Sequence, residues 1–410
     1  MNYKQVDSKL RKFVRYLPSI LLDGLKLSVA FVVSRILRLS KKWKGIWLIG
    51  ERFDEARDNG YHLFKYIRTC HPDVKVYYVI TPTSPDYRRV AELGPTIFWN
   101  SFRHFLYWMV ADRIISAHDA KLAPGTLLCR LLARFGVHSR KSVMLQHGVM
   151  AIQLPRFLEK RWESHALIAV SAQAERDFLI HEGGHEEEVV ALLGLCRFDG
   201  LYGASAPKKR ILVMPTWRRW FRDWFERYGH SEAMAKFKTS EYFRAYNRLL
   251  QSKRLSELLA RENYELVFYP HYQMQPYLDA FNSINEERII VADKQNYDVQ
   301  QLLRESAILI TDFSSVSFDF AFMERPLIYF LPDEERFFSE HSKRGYFDFE
   351  SDGFGPVCRD AEAVVDALEE ILEQEAALQS IYRDRVRRFF AYRDNRNCER
   401  TYEAIRAIVV

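Results

Sequence analysis

Cysteine is scarce in this chain and scattered along it. Cys70, Cys129, Cys196, Cys358 and Cys398 form no Cys-x-x-Cys pair, so neither a zinc spacing nor a disulfide framework is on offer. The pattern fits reduced thiols in a cytoplasmic protein. Acidic pairs of the Asp-x-Asp kind do not stand out either, so no metal site is expected. Long charge-free apolar runs are also missing. Tyr16 to Leu37 is largely apolar, but Asp23, Lys26 and Arg35 interrupt it. Its runs fall short of the roughly 20 residues that a spanning helix needs. No small-residue cleavage site follows, which argues against a signal peptide. No internal repeat is visible.

What is present describes a large globular chain. Its 410 residues suggest two domains or a little more. With 48% hydrophobic and 28% charged residues it can build sizeable cores. Net charge is +6, and many of the cations crowd the first 44 residues: Lys9, Arg11, Lys12, Arg15, Lys26, Arg35, Arg38, Lys41, Lys42 and Lys44. A basic end interleaved with aliphatics suits an anionic membrane surface. Nucleic acid would call for stacking aromatics among the cations, so it is not an expected partner. Residues 1–44 are read as an amphipathic helical segment, peripheral on the inner face of the cell membrane. A helix packed on the protein's own core has the same pattern.

From residue 45 onward, short apolar runs alternate with amphipathic stretches. Strands are expected at 47–50, 74–81, 96–99, 113–118, 143–148 and 166–170, with helices between them. This alternation implies a mostly parallel sheet. Asp58 and Asn59 lie in the polar loop after the first strand, where a ligand crevice commonly opens, so they are candidates for acceptor contact; a solvated turn, the more common case, has the same pattern. His147-Gly148 ends another strand. Glycine permits a sharp turn, and an imidazole there can act as a general base near neutral pH. A histidine satisfied by nearby backbone would look the same.

Residues 203–210 are small, polar and basic, and read as a linker. A second α/β domain follows over 208–375. Its first strand ends in Pro215-Thr-Trp-Arg218, with Thr216 and Arg218 expected to face a ligand. Arginine suits phosphate through its planar fork. Trp220 to Tyr228, aromatic and basic, is read as either a mobile cover over the cleft or an acceptor-lipid surface, and 241–262 as one long helix. The most informative run is Ala307-Ile-Leu-Ile-Thr-Asp-Phe-Ser-Ser-Val-Ser-Phe-Asp319. It reads as strand, tight turn and helix. Ser314 and Ser315 stand at the helix start, where N–H groups and partial positive charge favour phosphate. An ordinary capping serine gives the same pattern. Charged helices close the chain from about 376, and are expected to cross back to the first domain.

These blocks resemble the CDP-glycerol glycerophosphotransferases, which build teichoic-acid-like polymers. The resemblance rests on Gln146-His-Gly148, Gly194-Leu-Cys-Arg-Phe-Asp199, Pro215-Thr-Trp-Arg218, His271, the Asp312-Phe-Ser-Ser315 run with Asp319, and Arg344-Gly-Tyr-Phe. It covers roughly 45–375. Several positions depart from the family's pattern. Gln146 replaces a tryptophan, Tyr269 an arginine and Phe313 a tyrosine.

The resemblance implies a GT-B type fold, with two Rossmann-like α/β domains facing across a cleft. It also implies a reaction. Glycerol or ribitol phosphate passes from CDP-glycerol or CDP-ribitol to a hydroxyl of a lipid-linked or polymer acceptor, and CMP leaves. His147 is then the base, with Gly148, Asp58 and Asn59 near the acceptor. His271, Thr216, Arg218, Asp312, Ser314, Ser315 and Asp319 serve the donor, and no cofactor is needed. A GT-B glycosyltransferase using a nucleotide sugar is the alternative.

Overall fold

The computed structural model describes residues 3–118, 120–125, 128–281, 284, 287–293 and 295–409. Within these it describes side chains other than those of residues 3–17, 120 and 272. Lys9, Arg11, Lys12 and Arg15 therefore fall outside the described side chains. The chain forms two compact units. Unit 1 comprises Met1–His147, Leu154–Asp199 and Asp394–Val410, and unit 2 comprises Gly148–Gln153 and Gly200–Arg393.

Unit 1 is built on seven strands: β1 (Ile46–Gly50), β2 (Lys75–Ile80), β3 (Thr96–Phe98), β4 (Arg113–Ser116), β5 (Ser142–Met144), β6 (Leu167–Val170) and β7 (Val190–Leu192). They lie in the order β3-β2-β1-β4-β5-β6-β7, and each neighbouring pair is parallel. A parallel sheet buried on both faces needs apolar residues at both phases of its two-residue repeat. β1 supplies them. Ile46 and Leu48 join Phe105 and Trp108 on one face, while Trp47 and Ile49 join Phe64, Ile67 and Tyr402 on the other.

The helix α1 (Tyr3–Leu37) is divided lengthwise. Asp23, Ala30 and Ser34 are buried, at a spacing that keeps them on one side of a helix. Leu25, Val29, Val32 and Ile36 are exposed on another stripe, at 44–64%. No helix among the described residues is long and apolar enough to cross a membrane.

Unit 2 carries β8 (Lys208–Met214), β9 (Glu265–Phe268), β10 (Ile289–Val291), β11 (Ser306–Thr311), β12 (Leu327–Phe330) and β13 (Val357–Cys358). Their order is β10-β9-β8-β11-β12-β13, again with parallel pairing. Ile211, Val213, Phe268, Ile310 and Phe330 share one core with Tyr242, Tyr246 and Leu249 from the covering helices.

Three expectations are corrected. Residues 241–262 form two helices, Glu241–Leu250 and Lys253–Glu262, because the Ser252 hydroxyl accepts from Leu255 N–H and starts a new helix. Trp220 to Tyr228 is no free cover: it lies in the helix Arg219–Lys238, with Trp220 and Phe221 buried. Residues 148–153 belong to unit 2, where Phe347 N–H donates to Ala151 O at 3.3 Å. Gly345 is required there, since a Cβ would stand 1.8 Å from Ile152 O.

The closing helix Asn397–Ala407 is part of unit 1. Asp199 caps it, accepting from the Asn397 and Cys398 N–H groups at 2.8 Å each. Gly194, at φ 77°, leaves room for Asn397, whose Oδ1 would lie 1.7 Å from a Cβ.

Unit 1 also buries imidazoles. Burial depresses His104 and His165 to about 3. The unfolded chain takes up protons below its ordinary value of 6.5, whereas these folded rings refuse them until far lower pH. The unfolded state then binds more protons, so stability falls as pH falls through that window. Between about pH 6.5 and 5, each such ring should remove about 2 kcal/mol. Urea unfolding followed across this range should show a steadily falling midpoint, and a constant midpoint would show that the folded rings ionise normally.

Candidate active site

The strand order of unit 1 reverses between β1 and β4, which pair with each other while later strands extend outward on both sides. Loops leaving the carboxyl ends of such strands part from one another and open a crevice. Three polar side chains come from loops at this end: Asp58 after β1, His118 after β4 and His147 after β5. The two imidazoles stack, with centroids 4.6 Å apart and planes at 19°. Burial holds His147 below the ordinary imidazole value, against the pull of Asp58 and a hydrogen bond with the Ala117 backbone. His118 is pushed to about 3 by burial and by His147. Both rings are neutral at pH 7. His147 Nδ1 is buried with no hydrogen-bond partner among the described residues.

Asp58 ties this pair to the fold. Its Oδ1 accepts from Arg197 Nη1 at 2.7 Å, and from Asn59 N–H at 2.7 Å, at the start of α2 (Asn59–Cys70). Burial alone would raise its pKa. Arg197, through its charge and its hydrogen bond, outweighs burial and holds it below the ordinary value. Glu51 organises the same loop, accepting from the N–H groups of Arg57, Asp58 and Tyr61 at 2.7–2.9 Å. Burial and the Asp58 charge push Glu51 up to about 8.

Asn59 is fully buried and holds the turn before His147. Its Nδ2 donates to Gln146 O at 2.8 Å, and its Oδ1 accepts from Arg197 N–H at 3.0 Å. The expected acceptor contact at Asn59 is therefore replaced by a structural tie. Gln146, not Gly148, takes the left-handed backbone there, at φ 59°. A non-glycine residue in that region costs of order 1–3 kcal/mol, and such strain persists where surrounding bonds hold it. Here the Gln146 Nε2 bond to Ala169 O, 2.9 Å, is one of them.

In unit 2 the order reverses between β8 and β11. Thr216 leaves β8, His271 follows β9, and Ser314 and Ser315 follow β11. The Trp217 ring lies nearly parallel to His271 at 6.4 Å, meets His341 edge-on at 4.7 Å, and carries the Arg222 guanidinium 5.2 Å above it. Ser314 and Ser315 are half-buried. Ser315 makes no side-chain cap bond, and Ser314 Oγ accepts only a long 3.4 Å contact from Val316 N–H. The helix they precede, Val316–Phe322, has only seven residues. Its dipole is correspondingly small, so the hydroxyls weigh more than the helix start in any grip on an anion.

Arg218 does not face a ligand. It is fully buried, and its Nε and Nη2 grip both oxygens of Asp333 at 2.8 and 2.7 Å. Nη1 donates to Asp312 Oδ2 at 2.9 Å and to Thr216 O at 3.0 Å. Phe337 and Tyr242 flank the guanidinium at 4.9 and 5.0 Å. Asp312 is buried too, and its other oxygen accepts from Thr216 N–H at 2.8 Å. Burial pushes its carboxyl up to about 6, in spite of Arg218. Asp319 is buried within its helix. Arg218 and Asp312 hold the turn that carries Thr216 rather than reaching a donor themselves.

Asp333 and His341 were not singled out from sequence. Asp333 lies 115 residues from the arginine it binds. His341 Nδ1 accepts from Arg219 N–H at 2.9 Å. No local signal marks either one.

The profile of the CDP-glycerol:poly(glycerophosphate) glycerophosphotransferase family matches residues 31–407. The chain belongs to this family. The minor teichoic acid biosynthesis protein GgaB of Bacillus subtilis (strain 168) is 34% identical over 366 residues, which are 88% of this chain and 40% of GgaB. A teichoic acid poly(glycerol phosphate) polymerase of Bacillus spizizenii is 29% identical over 215 residues, 52% of this chain and 47% of that protein. The chain thus spans less than half the length of these relatives. A solved structure of the wall teichoic acid polymerase TagF shares the fold, with a TM-score of 0.65 at 16% identity over 97% of both chains.

Removing the guanidinium would strand two buried carboxylates. Arg218→Met should therefore cost about 3–5 kcal/mol in urea unfolding. A loss below about 1 kcal/mol would mean that the pair is solvated and contributes as a surface bridge does.

Proposed function

We propose that the chain transfers glycerol phosphate from CDP-glycerol, or ribitol phosphate from CDP-ribitol, to a hydroxyl of a lipid-linked or polymer acceptor. One observation in particular supports this within a family of such transferases. An imidazole held neutral, with an unpaired nitrogen, stands at the carboxyl end of β5 beside the point where the strand order reverses.

His147 takes the proton of the acceptor hydroxyl. The oxygen bonds to the β-phosphorus of the donor, the bond from that phosphorus to the bridging oxygen breaks, and CMP leaves with the electron pair. Asp58, fixed by Arg197, steadies the imidazolium as it forms. Phosphoryl transfer asks mainly for positioning and charge. In unit 2, Ser314, Ser315, Thr216 and His271 serve the donor diphosphate. Arg222 is an exposed cation over Trp217, the ring that also faces His271, in a chain where Tyr269 stands in place of the family's arginine. We read the stripe Leu25, Val29, Val32 and Ile36 of α1, together with the neighbouring cations, as the part that meets an anionic membrane surface, with the protein peripheral on its inner face.

Purified protein given CDP-glycerol, CDP-ribitol or nucleotide sugars, with a lipid-linked glycerol phosphate primer, should release CMP from a CDP-polyol. Release of a nucleoside diphosphate from a nucleotide sugar, with no CMP, would overturn the reading in favour of glycosyl transfer. His147→Ala should lower kcat by about 10²-fold or more, and His118→Ala by less, since only the former removes the base. The acid limb of the wild-type rate profile should lie below the ordinary imidazole value of 6.5, because the ring is held neutral beyond it. A limb above 6.5 would assign the base elsewhere.

A further inference from the structure

A groove of about 900 Å³ lies in unit 1 between α1 and the segment around Leu132–Lys141. That volume is near the upper end for small-molecule sites, about 300–1,000 Å³. Phe31, Val32, Met109 and Leu132 line it with apolar surface. Its other lining is cationic. Arg35 has no carboxylate partner among the described residues, and its guanidinium lies 5.1 Å over the Phe31 ring. Arg38 pairs with Asp112 at 2.6 Å. Lys141 is buried and donates to a backbone oxygen, Ala111 O, at 2.5 Å. These three cations thus meet a single carboxylate. His138 also lines the groove, and its Nε2 is buried without a hydrogen-bond partner among the described residues. An apolar trough beside excess positive charge and an unsatisfied polar atom is complementary to an amphiphile with an anionic head.

The groove's place in the fold narrows the occupant. Asp112 immediately precedes β4 and Lys141 immediately precedes β5. His118 and His147 follow the other ends of those same strands. The cations therefore sit a strand length, about 13 Å, from the imidazole pair. A hydroxyl on a head group held by these cations therefore lies out of reach of the imidazole pair. The exposed stripe of α1 continues into the groove through Val32, so bilayer and groove share a wall.

We propose that this groove holds one anionic phospholipid drawn from the membrane, with its phosphate at Arg35, Arg38 and Lys141 and an acyl chain along Phe31, Val32 and Leu132. The lipid acts as an anchor. This inference rests on the reading that α1 lies at a membrane.

Native mass spectrometry of the full chain, exchanged against detergent-solubilised phosphatidylglycerol or phosphatidylcholine, tests it. Two variants accompany the wild type. Ser28→Trp fills the groove from the exposed side of α1, and Arg35→Gln removes a head-group charge. The wild type should retain one phosphatidylglycerol per chain, about 5-fold more readily than phosphatidylcholine. Each variant should retain it about 10-fold less. Absence of a one-to-one lipid, or equal retention by Ser28→Trp, overturns the proposal. If flotation on phosphatidylglycerol vesicles persists in that case, the helix touches the bilayer by its outer stripe alone. Displacement of phosphatidylglycerol by a polyprenyl phosphate at lower concentration also overturns it, in favour of an acceptor-type lipid. Both variants should release CMP at the wild-type rate on a water-soluble acceptor, so failure here is separable from failure of the catalytic reading.

Discussion

A strand order that reverses in mid-sheet forces two adjacent loops to leave in opposite directions, and the rest of this protein's chemistry depends on that constraint. It operates twice, between β1 and β4 and between β8 and β11. Parallel pairing sends every carboxyl end to the same edge, so polar residues that follow different strands collect there without being close in sequence. Asp58, His118 and His147 meet in unit 1 for this reason. Thr216, Ser314 and His271 follow strands of unit 2 by the same rule.

The two units stabilise their loops differently. Unit 2 buries a complete charge cluster: Arg218 with no exposed surface, clasped by Asp333 and Asp312. A buried cluster of this kind is costly to desolvate and is fixed only when nearly every donor and acceptor is matched. Its product is shape, because it ties the turn after β8 to the turn after β11 through the Thr216 and Asp312 bond. Unit 1 leaves its Asp58–Arg197 pair partly open, at 21% and 10% side-chain exposure. A carboxylate that keeps some exposure beside neutral imidazoles can respond when one of them takes a proton. A guanidinium sealed among aromatics cannot respond in that way.

Much of this was legible in the sequence, and the limits have physical causes. Parallel α/β units showed in the alternation of short apolar runs with amphipathic stretches. The serine run showed as strand, turn and helix, and His147-Gly148 as a strand end. Spatial adjacency across the sheet did not show. Nothing in the run Arg113–His118 says that its strand lies beside β5, so the stacking partner of His147 stayed hidden. Arg218 had the sequence context of an exposed phosphate ligand. Only the distant Asp333 reverses that, and a residue 115 positions away leaves no local trace. The break at Ser252 was missed because amphipathic periodicity carries across a capped junction. The departure of Gln146 from the family's tryptophan is now understandable in part, since its amide reaches Ala169 O while its backbone holds the strained turn.

The bond between Asp199 and the helix Asn397–Ala407 spans 198 positions, and nearly all of unit 2 lies between. During synthesis, therefore, the first sheet waits. Its strands emerge early, but the helix that covers Trp47 and contributes Tyr402 to that face is made only after unit 2 has been produced. Until then the part of that face beside Trp47 lacks its cover, although α2 already shields the rest, for as long as a ribosome needs to add about two hundred residues at roughly 5–20 per second. The order of translation thus makes unit 2 the one able to close first, and leaves the half that carries the imidazole pair open to chaperones and to misassembly until the helix Asn397–Ala407 docks.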